Sequence, residues 1–329
     1  MASEIERAPG FACLRWRKRQ ILFGLCIGAV LLSATLRTAP LQEIAAALAR
    51  LDRPWAATAV ACYALDLALR TVRWRILLAT AAPASLGLIA RALVIGYGLN
   101  ILLPARLGEL ARIEYLKFRC GSRRSRTLPS LLLERSFDGF VVVAALVAGV
   151  ALGRHADVSG RFQALAGAGM AIAALTLIAL VALRLAASRL GDRLPESVAE
   201  RLALFESASR ELDATAYLGC GVLTLAIYGA EAGVMSTMLH ALGVAAHPAL
   251  LLALIGVASL STLLPTAPGY LGSYQLAFAL AFAMFGLAPA LGVAAATAIQ
   301  ALLFAPLVLA AIVLMIAPQR QGVALGEGV

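Results

Sequence analysis

LNILLPARLGELAR (99–112) and LSTLLPTAPGYLGSYQ (260–275) are the two stretches that decide how this chain is read. Each runs Leu–polar–x–Leu–Leu–Pro and then places Gly and polar residues where an apolar helix should continue. Pro104 and Pro265 stand 161 residues apart (265 − 104), close to half of the 329-residue chain. A Pro inside a helix removes a hydrogen bond and clashes with the preceding turn. In lipid, the freed backbone groups must face protein or a wet cavity. Interrupted apolar segments at corresponding positions of two halves point to a transporter's binding site.

Working outward, the chain is 61% hydrophobic and only 14% charged, with a mean hydropathy of +0.88. A soluble domain does not have this composition. Apolar runs approaching or exceeding the roughly 20 residues that cross a bilayer fall near 21–36, 55–69, 88–103, 130–152, 163–183, 216–240, 248–264, 271–287 and 290–316. The expected fold is all-α: a polytopic helical bundle of about seven to nine membrane segments. It forms a single transmembrane domain over 1–329. Its first half, about 20–153, is broken at 99–112; its second, about 162–317, is broken at 260–275; residues 318–329 form a short flexible tail. The longest polar stretch, 187–214, reads as an amphipathic helix.

The net charge of +10 does not signal nucleic acid, because of where it lies. Lys and Arg gather in RWRKR (15–19), RTVRWR (70–75), KFRCGSRRSR (117–126) and the 184–210 stretch. With both termini cytoplasmic, five of the 28 basic residues fall outside (Arg37, Arg50, Arg53, Arg154 and Arg161), Arg135 lies within a helix, and 22 remain inside. Short loops rich in Lys and Arg stay cytoplasmic. The same clusters attract anionic headgroups. Basic loops at 70–87 and 117–126 would make 88–116 enter and leave on the cytoplasmic side as a re-entrant pair of half-helices. Residues 248–287 would begin and end outside, as a hairpin or as two full spans. The apolar run after RWRKR is followed by Arg37 without a cleavage site, so it reads as an anchor and not as a signal peptide.

Charged residues at membrane depth cost at least about 2.5–3.5 kcal/mol each and need a reason. The densest set, Asn100, Arg106, Glu109, Arg112 and Glu114, surrounds the first break. Glu109 and Arg112 share a helix face. A guanidinium forks onto phosphate and a half-helix N-terminus favours an anion, so the set is either a cradle for a lipid phosphate or a mutually paired, snorkelling helix end. In LLLERSFDG (131–139), Glu134 and Asp138 lie on one face beside Arg135 and call for a cation between them, which Arg106 or Arg112 could supply. This is either a ligand contact or an ion-pair latch. Glu231 sits near the middle of 216–240 with no basic residue within two turns of its helix; Tyr228 is one turn away. Asp66 and Arg70 read as a surface ion pair. Tyr270, Ser273, Tyr274 and Gln275 give the second break a hydroxyl-rich character. The five cysteines form no metal spacing, no metal or cofactor is expected, and no nucleotide loop or nucleophile motif is present.

LRTVRWRILL (69–78), GYGLNILLPARLGELAR (96–112), LLLERSFDG (131–139) and LPTAPGYLGSYQLAF (264–278) resemble the successive motifs of the lysylphosphatidylglycerol synthase transmembrane family. That flippase-like family includes the membrane half of the multiple peptide resistance factor. The resemblance covers nearly the whole chain. It implies that Pro104, Arg106, Gly108, Glu109, Arg112, Glu134, Arg135, Asp138, Pro268, Gly269, Gly272 and Ser273 are functional, and that lipids or lipid-linked headgroups move between leaflets of the inner membrane. To these the residue reading adds Asn100, Glu231 and Tyr274. No segment here corresponds to the aminoacyl-transferase domain of the two-part resistance proteins, so an enzyme is not expected. The expected partners are membrane lipids with an anionic or phosphate-bearing headgroup, not nucleic acid. The alternatives are a non-transporting membrane partner of a lipid-modifying enzyme or glycosyltransferase and, behind it, a membrane-embedded headgroup transferase.

The charge asymmetry predicts a topology that labelling can test. Single cysteines in a cysteine-free background should escape an impermeant reagent at 121–126 and react with it at 155–159 in intact cells. The reverse pattern would invert the scheme.

Overall fold

The structure is a computed structural model that describes residues 33, 41–78, 82, 84–103, 106–152, 212–263 and 268–316. Every element among them is helical. A short helix α1 (Leu41–Ala49) precedes two series of four. The first series is α2 (Arg53–Leu77, 25 residues), α3 (Leu86–Leu102, 17), α4 (Leu107–Cys120, 14) and α5 (Arg124–Leu152, 29). The second is α6 (Ala214–Ala241, 28 residues), α7 (Pro248–Ser261, 14), α8 (Ser273–Met284, 12) and α9 (Pro289–Ile316, 28). One turn of π-helix, Gln300–Phe304, lies within α9. Long, short, short, long occurs twice.

Local chemistry places the starts in the same register. The Asp52 carboxylate caps α2 by accepting from the Trp55 N–H, and Asp213 caps α6 by accepting from the Ala216 N–H. An Asp there satisfies one of the four N–H groups that a helix start leaves free. These caps are 161 residues apart, the same offset that separates Pro104 from Pro265. Ser85 caps α3 and His247 caps α7 in the corresponding places.

The two series pack head to tail. α2 lies along α6, with the Asp52 N–H donating to the Ala241 carbonyl at 2.8 Å at one end and Arg73 reaching Thr224 at 2.9 Å towards the other. Trp55 stacks on His240, ring centroids 4.9 Å apart. α5 then packs on α7, and the last part of α9 on α3, so each series lends its fourth helix to the other's second. Small residues allow the approach: Gly149 backs onto Ala253, Gly256 onto Leu146 and Gly98 onto Ala311. In lipid, where apolar burial does not drive association, such close backbone contact does.

Both breaks bend through left-handed backbone. Arg106 (φ 52°) precedes α4, while Gly269 (φ 77°), Tyr270 (φ 57°) and Gly272 (φ 89°) lead into α8. A non-Gly residue pays about 1–2 kcal/mol there, so Arg106 and Tyr270 hold these conformations against a local preference. Pro104 and Pro265 lie outside the described residues, as do the expected span at 163–183, that at 21–36 apart from residue 33, residues 187–211 and the tail.

One expectation is met in part and one changes. Among the described residues two helices, α6 and α9, are long and apolar enough to cross a membrane by length and composition, fewer than the seven to nine segments expected. α2 and α5 have the length but carry the charged residues; α3 and α7 are apolar but short. Finally, 70–77 is not part of a basic loop: α2 continues through it to Leu77, and Arg73 and Trp74 are fully buried.

Gly108 explains one motif position by packing. A Cβ there would overlap the Gly96 carbonyl and come within 2.6 Å of the Asn100 nitrogen, all backbone that cannot turn aside. Gly108→Ala should therefore cost about 1–3 kcal/mol and lower the melting temperature in detergent. Gly229→Ala, whose Cβ would meet nothing within 4 Å inside α6, should be neutral or stabilise by up to about 1 kcal/mol.

Candidate functional site

The two breaks meet. Arg106 Nη2 donates to Thr262 Oγ1 at 2.8 Å, and the Tyr270 hydroxyl donates to the Asn100 carbonyl at 3.0 Å. Each left-handed residue thus reaches the helix end at the opposite break. The Asn100 carbonyl is one that the end of α3 leaves without a helical partner, and the phenol satisfies it. At the second break the Gly272 N–H donates to Gln275 Oε1, the Ser273 hydroxyl to the Tyr270 carbonyl, and Gln300 Nε2 to the Gly269 carbonyl. The π-helical turn brings Gln300 to this position.

Beside this junction lies a cavity of about 420 Å³ between α2, α3, α5, α6 and the two breaks. Its polar lining includes Asp66, Arg70, Arg106, Glu109, Arg135, Asp138 and Glu231, with Asn100 and Thr262; its aromatic lining includes Tyr63, Tyr97, Tyr228, Tyr270 and Tyr274. Of the expected site residues, Asn100, Arg106, Glu109, Arg135, Asp138, Glu231 and Tyr274 line it.

Arg112 and Glu134 lie behind the wall, with side chains 1% and 2% exposed. Arg112 Nη2 donates to Glu134 Oε2 at 2.8 Å, and its guanidinium stacks over the Trp74 ring at 4.5 Å. Gly108 packs on α3, while Pro268, Gly269, Gly272 and Ser273 shape the turn into α8 without lining the cavity. The phosphate cradle expected at Arg106, Glu109 and Arg112 is therefore split. Arg106 faces the cavity, and Arg112 is a buried counter-ion.

Arg112 is thus the cation beside Glu134 that the sequence reading allowed for, but the one bonded to Asp138 comes from a stretch that reading assigned to a loop. Arg73 Nη1 donates to Asp138 Oδ1 at 2.6 Å, and its Nη2 lies 3.8 Å from Glu134. Arg135 lies 3.3 Å from both Glu109 and Glu134 and 3.6 Å from Asp138. Glu109 also faces Arg106 at 3.8 Å. Tyr97 donates to Glu134 at 3.4 Å. Seven charges so form one connected network across α2, α4 and α5.

Two further readings are overturned. Asp66 and Arg70 are not a surface pair, because their side chains are only 6% and 14% exposed and both face the cavity. Glu231 is not isolated: Arg70 Nη2 donates to it at 3.1 Å while Arg70 Nε donates to both oxygens of Asp66, at 2.8 and 3.0 Å. Tyr228, one turn from Glu231, donates to the Asp138 carbonyl at 3.5 Å. The signal for Arg70 and Arg73 was their i,i+3 spacing on one helix face, which a count of basic residues overlooks.

Truncating one partner of a buried pair strands the other charge, at a cost of roughly 3–5 kcal/mol. Arg112→Ala should accordingly lower thermal stability sharply by leaving Glu134 without its closest cation. Arg124→Ala should change it little, because Arg124 pairs with Glu114 at the exposed start of α5. A melting series in detergent compares the two.

Among proteins of known activity, the chain is 27% identical over 320 residues to the glycosyltransferase AglD of Haloferax volcanii, an alignment covering 85% of this chain and 51% of that protein. It thus spans about half the length of this relative. No solved structure matches it. Residues 21–311 match the family described as the lysylphosphatidylglycerol synthase transmembrane region. With nearly the whole sequence matched, the chain belongs to that family of membrane proteins.

Proposed function

We propose that this chain moves lipids, or lipid-linked headgroups, between the leaflets of the inner membrane. The observation that carries the reading is the cavity at the meeting of the two breaks, walled by arginines and carboxylates in an otherwise apolar fold. Membrane-depth charges facing a cavity mark a substrate pathway. Arg106 and Arg135 are the guanidiniums that take the phosphate. Both line the cavity, and their side chains, 26% and 31% exposed, are more open than those of Arg70, Arg73 and Arg112. The α4 N-terminus adds free N–H groups, because Arg106 gives it no side-chain cap. Acyl chains stay in lipid, alongside exposed Leu218, Leu225, Leu309 and Val313.

In this reading α2–α5 and α6–α9 are inverted repeats, α3–α4 and α7–α8 are re-entrant or partial spans, and both termini are cytoplasmic. The head-to-tail packing of α2 on α6 and the exchange of fourth helices support it. The chain is then a multi-pass protein whose short helices need not cross the bilayer alone. A second reading draws on the relative named as a glycosyltransferase, of which this chain spans half: a membrane module that presents or positions lipid for a glycosyltransferase.

Reconstitution separates the two. Purified chain in phosphatidylcholine–phosphatidylglycerol vesicles should accelerate the bleaching of fluorescent headgroup-labelled phospholipid from the inner leaflet. A hydrogen bond to a charged group contributes about 1.5–3 kcal/mol, so Arg106→Gln should slow this by about ten- to hundredfold while the chain still folds and reconstitutes at the wild-type level. Vesicles as slow as protein-free controls would refute transport and favour the module.

A further inference from the structure

Counting charge along the ion pairs divides the site into two islands. Arg73, Arg106, Arg112 and Arg135 join Glu109, Glu134 and Asp138, four positive against three negative. Asp66, Arg70 and Glu231 form the other, one positive against two negative. The first island is short of one anion, which the lipid phosphate of the proposed function supplies. The second is short of one cation. An uncompensated carboxylate at membrane depth neutralises itself by taking up a proton.

We propose that the Asp66–Arg70–Glu231 triad is a proton-binding site, with Glu231 the group that takes the proton. Arg70 holds Asp66 through Nε by two hydrogen bonds, 2.8 and 3.0 Å, and spends a single bond, 3.1 Å, on Glu231. When Glu231 is protonated, Arg70 keeps a complete partner and the triad is neutral. Were Asp66 to take the proton, the two-bond pair would be lost. Glu231 is also the more open carboxylate, its side chain 22% exposed against 6%, with the cavity as the proton's route.

A second feature adds to the negative field. Asp138 Oδ2, buried and in the cavity wall, accepts no hydrogen bond among the described residues, because Arg73 bonds the other oxygen, Oδ1, at 2.6 Å and Arg135 Nη1 stays 3.6 Å from Oδ2. In the cavity that Glu231 faces, the ionisable groups are Tyr63, Asp66 and Arg70 on α2, Tyr97 on α3, Arg135 and Asp138 on α5, Tyr228 on its own helix and Tyr274 on α8, with Arg106, Glu109 and Tyr270 at the breaks. α7 carries none. Among the described residues Arg70 alone donates a hydrogen bond to it.

The site's position gives the proton a consequence. Arg70 and Glu231 stand 161 residues apart, the offset of the two helix caps, so they are equivalent positions of α2 and α6 facing each other. Their bond ties one series of helices to the other. Protonation weakens it without unsealing the first island, so proton and phosphate are linked through the motion of the two series. That consequence rests on the transport reading; the proton site does not.

Infrared difference spectroscopy of the purified full chain, titrated between about pH 5 and 8, reads the site without any transport. The wild type should show a protonated-carboxyl C=O band that fades as pH rises and shifts on deuteration. Glu231→Gln, a permanent mimic of the protonated state, should lack it while keeping its melting temperature. The band should be indifferent to sodium replacing potassium. A titrating band that survives in Glu231→Gln, no titrating band in the wild type, or a band displaced by sodium at fixed pH would each overturn the proposal. In the vesicle assay, linkage to one proton makes the wild-type rate change by up to about tenfold per pH unit and leaves Glu231→Gln flat. A wild type with the band and without transport would refute the function above and leave the proton site standing.

Discussion

No charge can be left alone in an apolar interior, and this constraint organises the described residues. Five arginines and five carboxylates from α2, α4, α5, α6 and the first break are tied into two islands, in which every guanidinium lies within 4 Å of at least one carboxylate. Such pairs contribute little net stability against apolar residues of similar volume. Their effect is on arrangement. Arg73 cannot find Asp138 and Thr224 unless α2, α5 and α6 are placed together, and Arg112 cannot find Glu134 unless α4 lies against α5. The costly residues therefore specify which helices meet.

The breaks follow the same logic applied to backbone. Where α3 and α7 stop short, carbonyls and N–H groups lose their helical partners, and the fold answers with cross-bonds. Tyr270 serves the Asn100 carbonyl, Gln300 the Gly269 carbonyl, and Gln275 the Gly272 N–H. Left-handed Arg106 and Tyr270 are tolerated because each secures a contact with the opposite break. The strain lies where polar groups turn toward the cavity, as expected of a working site.

Much of this was legible in the sequence, for reasons that can be named. The paired Leu-Leu-Pro words marked both breaks, because Pro and Gly disrupt a helix by local chemistry alone. Asn100, Arg106, Glu109, Arg135, Asp138, Glu231 and Tyr274 stood out as polar residues in apolar surroundings, and they line the cavity. Partners were harder to read. Arg70 and Arg73 sit in a basic word that the positive-inside rule assigns to a loop, and only tertiary placement shows Arg73 buried against α5 and α6 and Arg70 facing the cavity against α6. Arg112 was indistinguishable from Arg106 by type and spacing, yet one lies behind Trp74 and the other faces the cavity. Helix length misled as well: runs long enough on paper shrink to 14 and 12 residues in α7 and α8 once the turns between them are counted.

The central claim is that α2 and α6, equivalent helices of the two series, lie head to tail against each other around the cavity. Cys62 offers a direct test. A Cβ at position 233 would sit 3.7 Å from the Cys62 Cβ and 3.3 Å from its sulfur, within the spacing of a disulfide. Gly233→Cys, with Cys62 as the other thiol and the remaining four cysteines replaced, should form a disulfide on mild oxidation in native membranes. Proteolysis between residues 153 and 211 would then leave the two fragments joined until reduction. Fragments that separate without reductant would contradict the head-to-tail pairing on which the cavity and the proton site both depend.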